Sequence, residues 1–425
     1  MSIESLYRET QALDERDALA HLRDAFVLPV NAQGQTLTYL CGHSLGLAPR
    51  AARTLVDQEL STWEALGVQG HHEGPRPWID YAEALRPALA RLTGASVDEV
   101  VAMNGLSVNL HLLMASFYRP QGRRHRIVIE AGAFPSDRHA VASQLQWHGL
   151  DPDEALIELH AAPGSDLTEE ATLEALLETQ GEQIAMVLWP GVQYLTGQAF
   201  DLPRIVAAAH RAGAMCGFDL AHAIGNLPLS LHDAQADFAV WCSYKYLNSG
   251  PGAIAGAFVH SRHSRATLPG LAGWWGHDPA TRFRMEPQFI PASGAAAWQL
   301  SNPPILSAAP LIASLALFDE AGIERLRQKS LAMNALLRRE VTLRFAEALQ
   351  CITPPEPQRQ GCQLSLRVRA GRDTGRRVFD TLQRLGIVGD WREPDVLRFA
   401  PVPMYNRFDD IARLIQALDQ ALNLR

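Results

Sequence analysis

Lysine is almost missing from this chain of 425 residues. Of its 38 basic residues only Lys245 and Lys329 are lysines, and the rest are arginines. Where arginine carries nearly all the positive charge, a lysine in a polar-apolar core segment points to chemistry that a guanidinium cannot perform. A lysine amine can lose its proton and attack carbon, whereas arginine stays protonated. Lys329 sits in the arginine-rich helical pattern RLRQKSLAMNALLRRE and is expected to be a solvated surface residue. Lys245 sits just past an apolar run, in DFAVWCSYKYLNSGPG.

Other absences narrow the class. No apolar run approaches the ~20 residues that span a bilayer. The N-terminus, MSIESLYRETQALDERDALA, lacks the basic start and apolar stretch of a secretory signal. No membrane partner and a cytoplasmic location are therefore expected. The formal net charge of -8 has the wrong sign for a general nucleic-acid binder. The five cysteines are odd in number, widely spaced and without a CxxC pair, which fits reduced thiols better than a disulfide framework or a zinc site. No metal is expected either, because His71 and His72 of GHHEGPRPW are adjacent and would point opposite ways from an extended segment.

What is present is alternation. Apolar β-type runs at 126–131, 184–189, 214–220, 238–243 and 254–260 are interleaved with helical stretches at 108–117, 139–149, 172–180 and 202–213. Strands separated by helices imply an α/β fold with a mostly parallel sheet covered on both faces. Helices are also expected over 50–66 and 78–93. After SNPPILSAAP (301–310) the pattern changes: a long helical region to about 350, a strand over 363–369, a helix over 376–386, a strand over 396–402 and a final helix over 409–422. This reads as a smaller α+β unit. The expected division is an N-terminal segment, 1–40, packing with the small domain; a large domain, 41–305; and a small C-terminal domain, 306–425.

Four stretches could carry chemistry together. In NGLSVNLHLLMASF (104–117), Ser107 is a good N-cap, and a helix N-terminus with a serine hydroxyl makes a phosphate cup. In GFDLAHAIGN (217–226), Asp219 ends a buried-looking strand, where parallel sheets place ligands, and a carboxylate there can hold a protonated pyridine nitrogen. His222 follows within reach. In CSYKYLNSGPG (242–252), Lys245 offers an amine nucleophile and Tyr244 a hydroxyl. In AFPSD (133–137), Phe134 could stack on a ring and Asp137 lie near its edge. Each has a plainer reading: a capped helix, a turn-capping Asp, a strand-end lysine in solvent, an aromatic core residue. GPGAIAG (250–256) has glycine spacing that suggests a dinucleotide loop, but it enters a strand and not a helix, so that argument fails.

The strings NGLSVNLHLLMASFY, EAGAFPSDRHAVASQLQWHGL, GFDLAHAIGNLPLSLHD, WCSYKYLNSGPGAIAGAFVH, GWWGHDPATRFRM and SNPPILSAAP resemble kynureninase along most of residues 40–310, and RQGCQLSLRV and VLRFAPVPMYNRFDD extend the likeness almost to the end. The resemblance implies the aspartate-aminotransferase-type fold of enzymes dependent on pyridoxal 5'-phosphate, and hydrolysis of L-kynurenine to anthranilate and L-alanine, or of 3-hydroxykynurenine to 3-hydroxyanthranilate and L-alanine. It implies that Lys245 carries the cofactor; that Leu106, Ser107 and Tyr244 hold its phosphate; that Phe134, Pro135, Ser136 and Asp137 line it; that Asp219 pairs with the pyridine nitrogen; and that His222 lies against it. Trp274 and Asn302 match positions that reach cofactor and substrate across a homodimer interface. Ser44, His71, Asn302 and Arg398 match the substrate side, with Arg398 on the carboxylate. His43 stands where many relatives have Asn, and Pro190 where some carry a hydroxyl near the phosphate. Two alternatives stay open: a cysteine desulfurase or selenocysteine lyase of the same fold, for which Cys351 or Cys362 would be the reactive thiol, and a non-catalytic binding module.

Overall fold

The computed structural model describes residues 2–265 and 267–423. Seven apolar strands form the large sheet: β1 (Val100–Ala102), β2 (Arg126–Glu130), β3 (Leu156–Leu159), β4 (Ile184–Pro190), β5 (Met215–Asp219), β6 (Phe238–Trp241) and β7 (Gly256–Val259). Their order is β1-β7-β6-β5-β4-β2-β3. The pairs from β3 to β6 are parallel, and β7 alone runs against its neighbours β6 and β1. The expected mostly parallel sheet is therefore present. Strands β1 and β3 were not expected from the sequence: β1 is only three residues long, and β3 is an edge strand whose residues are all half-buried.

The longer helices that frame the sheets are α1 (Ile3–Glu15), α2 (Arg50–Leu66), α3 (Leu106–Phe117), α4 (Pro135–Trp147), α5 (Glu170–Gln180), α6 (Leu202–Arg211), α7 (Ile305–Ala321), α8 (Ile323–Phe345), α9 (Arg372–Arg384) and α10 (Phe408–Asn423). Successive side chains of a strand face opposite layers. Along β2, Ile127 and Ile129 pack with α3 and α4, while Val128 packs with α5 and α6. This two-sided burial is why the strands read as continuous apolar runs.

A second, antiparallel sheet comprises β8 (Leu349–Cys351), β9 (Leu364–Val368), β10 (Asp390–Arg392) and β11 (Val396–Phe399), in the order β8-β9-β11-β10. Its core gathers Leu6 of α1, Leu40, Met333 and Leu337 of α8, Phe379 of α9 and Ile411 and Ile415 of α10. Among the described residues, no single helix is long and apolar enough to cross a membrane.

Several local expectations are corrected. The helix expected over 78–93 is two short 3-10 turns and then a helix, Arg86–Thr93, because Pro87 lacks an N–H and is accommodated only in a first turn. The long helix expected up to 350 breaks at Gly322 (φ 74), where α7 and α8 meet at 80°. Helix α7 buries Ala308, Leu311 and Phe318 in the core of the large sheet. Lys329 is not a solvated surface residue: its side chain is 6% exposed and lies 2.7 Å from Asp17 Oδ2. The turn after α1 covers that face of α8, so the amine is buried against a carboxylate.

Candidate active site

The carboxyl ends of the parallel strands open onto one cleft, the place where open α/β sheets put ligands. Strand β2 ends on Glu130 and turns through Phe134 into α4; β4 ends on Pro190; β5 ends on Asp219; β6 leads to Tyr244 and Lys245; and β1 leads to Leu106 and Ser107 at the start of α3. Together with Ser136, Asp137 and His222, these side chains line the cleft. Residues far apart in the chain meet there because every βα connection leaves the sheet on the same side.

Lys245 Nζ lies 3.1 Å from His222 Nε2, 5.7 Å from the centre of the Phe134 ring and 5.9 Å from that of Tyr244. Burial, reinforced by the nearby Lys245 charge, holds His222 well below the usual histidine range, so its neutral ring can accept from the amine. Asp219 Oδ1 accepts the Ala221 N–H at 2.7 Å. Burial first, and then the Asp219 carboxylate, push Asp137 well above the usual carboxyl range. The Asp137 Oδ1 is buried without a hydrogen-bond partner. Tyr244 is pushed up by burial and then by Cys242, so its hydroxyl keeps its proton.

Ser107 is not the N-cap of α3. Gly105 takes that position in extended conformation, and Ser107 falls in the first turn. Its hydroxyl lies 2.8 Å from that of Ser136, in the first turn of α4. Two serine hydroxyls and two helix N-termini thus share one corner of the cleft, a favourable place for an anion. Pro135 opens α4 as its first helical residue and does not line the cleft itself. Pro190 does line it, with no hydroxyl to offer.

Arg398 and Ser44 form an adjoining group. Arg398 is buried on β11 and faces Asp390 of β10 across the ladder. Asp390 Oδ2 accepts from Arg398 at 2.6 Å and from the Ser44 hydroxyl at 2.6 Å. Another guanidinium nitrogen of Arg398 donates to the Tyr194 carbonyl. Tyr194 lines the cleft and packs edge-on against Phe134, with ring centres 5.2 Å apart. Arg398 therefore borders the cleft through Tyr194.

The remaining expected residues do not join the cleft. Trp274 is exposed, packs on Phe283 and donates its indole N–H to the Arg282 carbonyl. Asn302 is exposed. His71 packs edge-on against Trp78, with ring centres 5.3 Å apart. Conversely, sequence reasoning missed Glu130, Gln193, Tyr194 and Asp390. Glu130 had a usable signal, an acidic residue closing an apolar parallel strand as Asp219 does. Burial raises it to about 8. Gln193 clamps the turn before Phe134, donating to the Gly132 carbonyl at 3.1 Å and accepting from Thr196 N–H at 3.0 Å.

The donor set suits a phosphorylated pyridine aldehyde. It offers one amine for the aldehyde, two neighbouring carboxyls for the ring nitrogen, an aromatic face beside the amine, and paired hydroxyls for the phosphate.

A family model described as the kynureninase C-terminal domain matches residues 326–418. Kynureninase from Xanthomonas euvesicatoria pv. vesicatoria is 58% identical over 409 residues, 96% of each chain. Kynureninase from Xanthomonas campestris pv. campestris is 57% identical over 408 residues, again 96% of each. Among solved structures, the cysteine desulfurase CsdA from Escherichia coli superposes with a TM-score of 0.77 at 19% identity, covering 96% of this chain and 98% of that one. A C-DES variant with glycine covalently linked to its pyridoxal phosphate cofactor gives 0.76 at 19%, covering 90% and 96%. At such identities the likeness concerns the fold, which is the expected aspartate-aminotransferase type.

Proposed function

The chain belongs to the kynureninase family, and from that premise we propose that it hydrolyses L-kynurenine to anthranilate and L-alanine, and 3-hydroxykynurenine to 3-hydroxyanthranilate and L-alanine, with pyridoxal 5'-phosphate bound at Lys245. It is a hydrolase acting on a carbon–carbon bond, in tryptophan catabolism. The observation that carries the reading is identity of 57–58% sustained over 96% of the chain. The cleft supports it by supplying a complete set of groups for the cofactor.

Pyridoxal phosphate supplies an electron sink, its protonated ring accepting the electrons released as substrate bonds break. The protein's part is binding and proton transfer. Lys245 would hold the cofactor aldehyde, and its amine would move the proton at the substrate Cα. Asp219, next to Asp137, would pair with the ring nitrogen. Leu106, Ser107, Ser136 and Tyr244 hold the phosphate, with Phe134 on the ring face. Neutral His222 aligns the lysine amine. Arg398, steadied by Asp390 and Ser44, takes the substrate carboxylate. Water attacks the substrate γ-carbonyl, and Tyr244, which keeps its proton, donates at the carbonyl oxygen. The Cβ–Cγ bond then breaks, anthranilate leaves, and the three-carbon fragment takes a proton at Cβ and departs as alanine.

His71, Trp274 and Asn302 lie away from the cleft of their own chain, which supports a homodimer in which they serve the partner's substrate. We place the enzyme in the cytoplasm and divide it at the boundaries expected from sequence, with α7 as the connection. The desulfurase alternative shares the fold but lacks a suitable thiol. Cys41, Cys216, Cys242 and Cys362 are buried, Cys362 is pushed up to about 12 by burial, and burial also raises Cys351.

The test is incubation of cofactor-loaded protein with each kynurenine, following the fluorescent aminobenzoate and alanine. Equal amounts of both products are expected. No cleavage of either substrate, or release of sulfide from cysteine instead, sinks the reading.

A further inference from the structure

Between the Lys245 cleft and the Arg398 group stands a side chain that neither uses, His43. Its loop docks on the lysine segment, the Gly46 N–H donating to the Tyr244 carbonyl at 2.8 Å. The His43 ring is fully buried, and neither of its nitrogens has a hydrogen-bond partner among the described residues. Its Nε2 stands 3.8 Å from Asp390 Oδ2, beyond hydrogen-bond reach, and that carboxylate is already engaged by Ser44, Arg392 and Arg398. On the other side its ring centre is 6.4 Å from that of His222, the imidazole that contacts Lys245.

A buried imidazole without partners costs stability, and an apolar side chain of similar size would remove that cost. The polar atoms therefore serve something other than the fold. The surroundings narrow what that is. Arg398, Lys245 and Arg392 all bear on the ring, and burial together with these cations holds it well below the usual histidine range. A neutral imidazole offers one N–H donor. Although Cys41, His43 and Asp390 have metal-like spacing, the same three cations disfavour a metal ion there. Arg398 Nε is also buried without an acceptor, while its terminal nitrogens are taken by Asp390 and the Tyr194 carbonyl. Two unsatisfied donors beside three cations call for an anion that can accept hydrogen bonds.

We propose that His43 is a substrate-recognition residue whose ring N–H donates to the α-carboxylate of the bound amino acid, alongside Arg398. This rests on the amino-acid reading of the site above and adds a contact to it.

The test compares wild type, His43→Leu and His43→Gln, each loaded with cofactor. The readouts are kynurenine kinetics, thermal unfolding and inhibition by 4-oxo-4-phenylbutanoate, which keeps the carboxylate and the aryl ketone but has no amine. Leucine keeps bulk without a donor, and glutamine restores one. In His43→Leu, KM and the inhibition constant are expected to rise about tenfold to a hundredfold. The change in kcat is expected to be smaller, and the thermal midpoint equal to or above that of wild type. His43→Gln is expected to recover most of the affinity. A His43→Leu enzyme with both constants within about twofold of wild type, or one that unfolds more easily or does not fold, overturns the inference, as does a loss that glutamine leaves uncorrected. Wild type that fails to cleave kynurenine is a separate result, against the function itself.

Discussion

Two acids in the cleft, Asp137 and Glu130, are raised above the usual carboxyl range chiefly by burial. Glu130 has a thermodynamic signature that can be measured. Its folded form, raised to about 8, keeps a proton that the unfolded chain releases near pH 4.3. Between those values the folded state binds more protons, so this group's contribution to stability falls as pH rises from about 4.5 to about 8. Glu130→Gln removes the ionisation. It is expected to raise the thermal midpoint above that of wild type at about pH 8.5 and to change it little at about pH 4.5. Equal midpoints at the higher pH contradict a protonated Glu130. At this scale the sequence was informative wherever chemistry requires a rare residue type. Lys245 stood out against an arginine background, and Asp219 by its place at a strand end. Glu130 had the same placement, but only the cleft singles it out. Lys329 was misread because helical periodicity says nothing of which distant segment covers a face, and here the turn at Asp17 does.

At the scale of elements, Asp237 ties the sheet to its covering layer at the end away from the cleft. Its carboxylate accepts from the Cys216 N–H at 2.7 Å and contacts His210, His263 and Arg262 at 3.0, 2.7 and 2.5 Å. These bonds outweigh burial and hold it far below the usual carboxylate range. The stabilisation is present above the unfolded value near pH 3.9 and is lost as pH falls through the folded one. Asp237→Asn is expected to cost about 2–4 kcal/mol at neutral pH in denaturant unfolding, the range for breaking a buried charge cluster with partly exposed partners. A cost below about 0.5 kcal/mol contradicts this role. Alternation of apolar runs and helical stretches identified the central strands, because burial on both faces writes a strand as a plain apolar run. It failed for β1 and β3, and Ser107 was misjudged as a cap because Gly105 adopts the extended cap conformation two residues earlier.

Across the whole molecule, the α/β class and the later small sheet were legible, whereas only the resemblance pointed Trp274 and Asn302 toward a partner's site, and it set His71 on the substrate side without assigning it to a partner. Those positions lie outside their own cleft, and in the proposed homodimer they would meet the partner's substrate. Complementation tests this. Lys245→Ala and Asn302→Ala are each expected to be nearly inactive alone. If Asn302 serves the neighbouring site, mixing and reassociation produce dimers in which one site has both side chains. Random exchange then restores about a quarter of wild-type activity. No recovery, with exchange verified by sedimentation of differently tagged chains, contradicts a shared site.

The account as a whole turns on which amine meets the cofactor aldehyde. Borohydride treatment of the cofactor-loaded protein fixes that carbon to its nitrogen, and peptide mapping by mass spectrometry then locates the label. One pyridoxyl group per chain on Lys245 is the expected result. A label on Lys329 or the N-terminal amine with Lys245 unmodified, or no label on a protein that cleaves kynurenine, contradicts it.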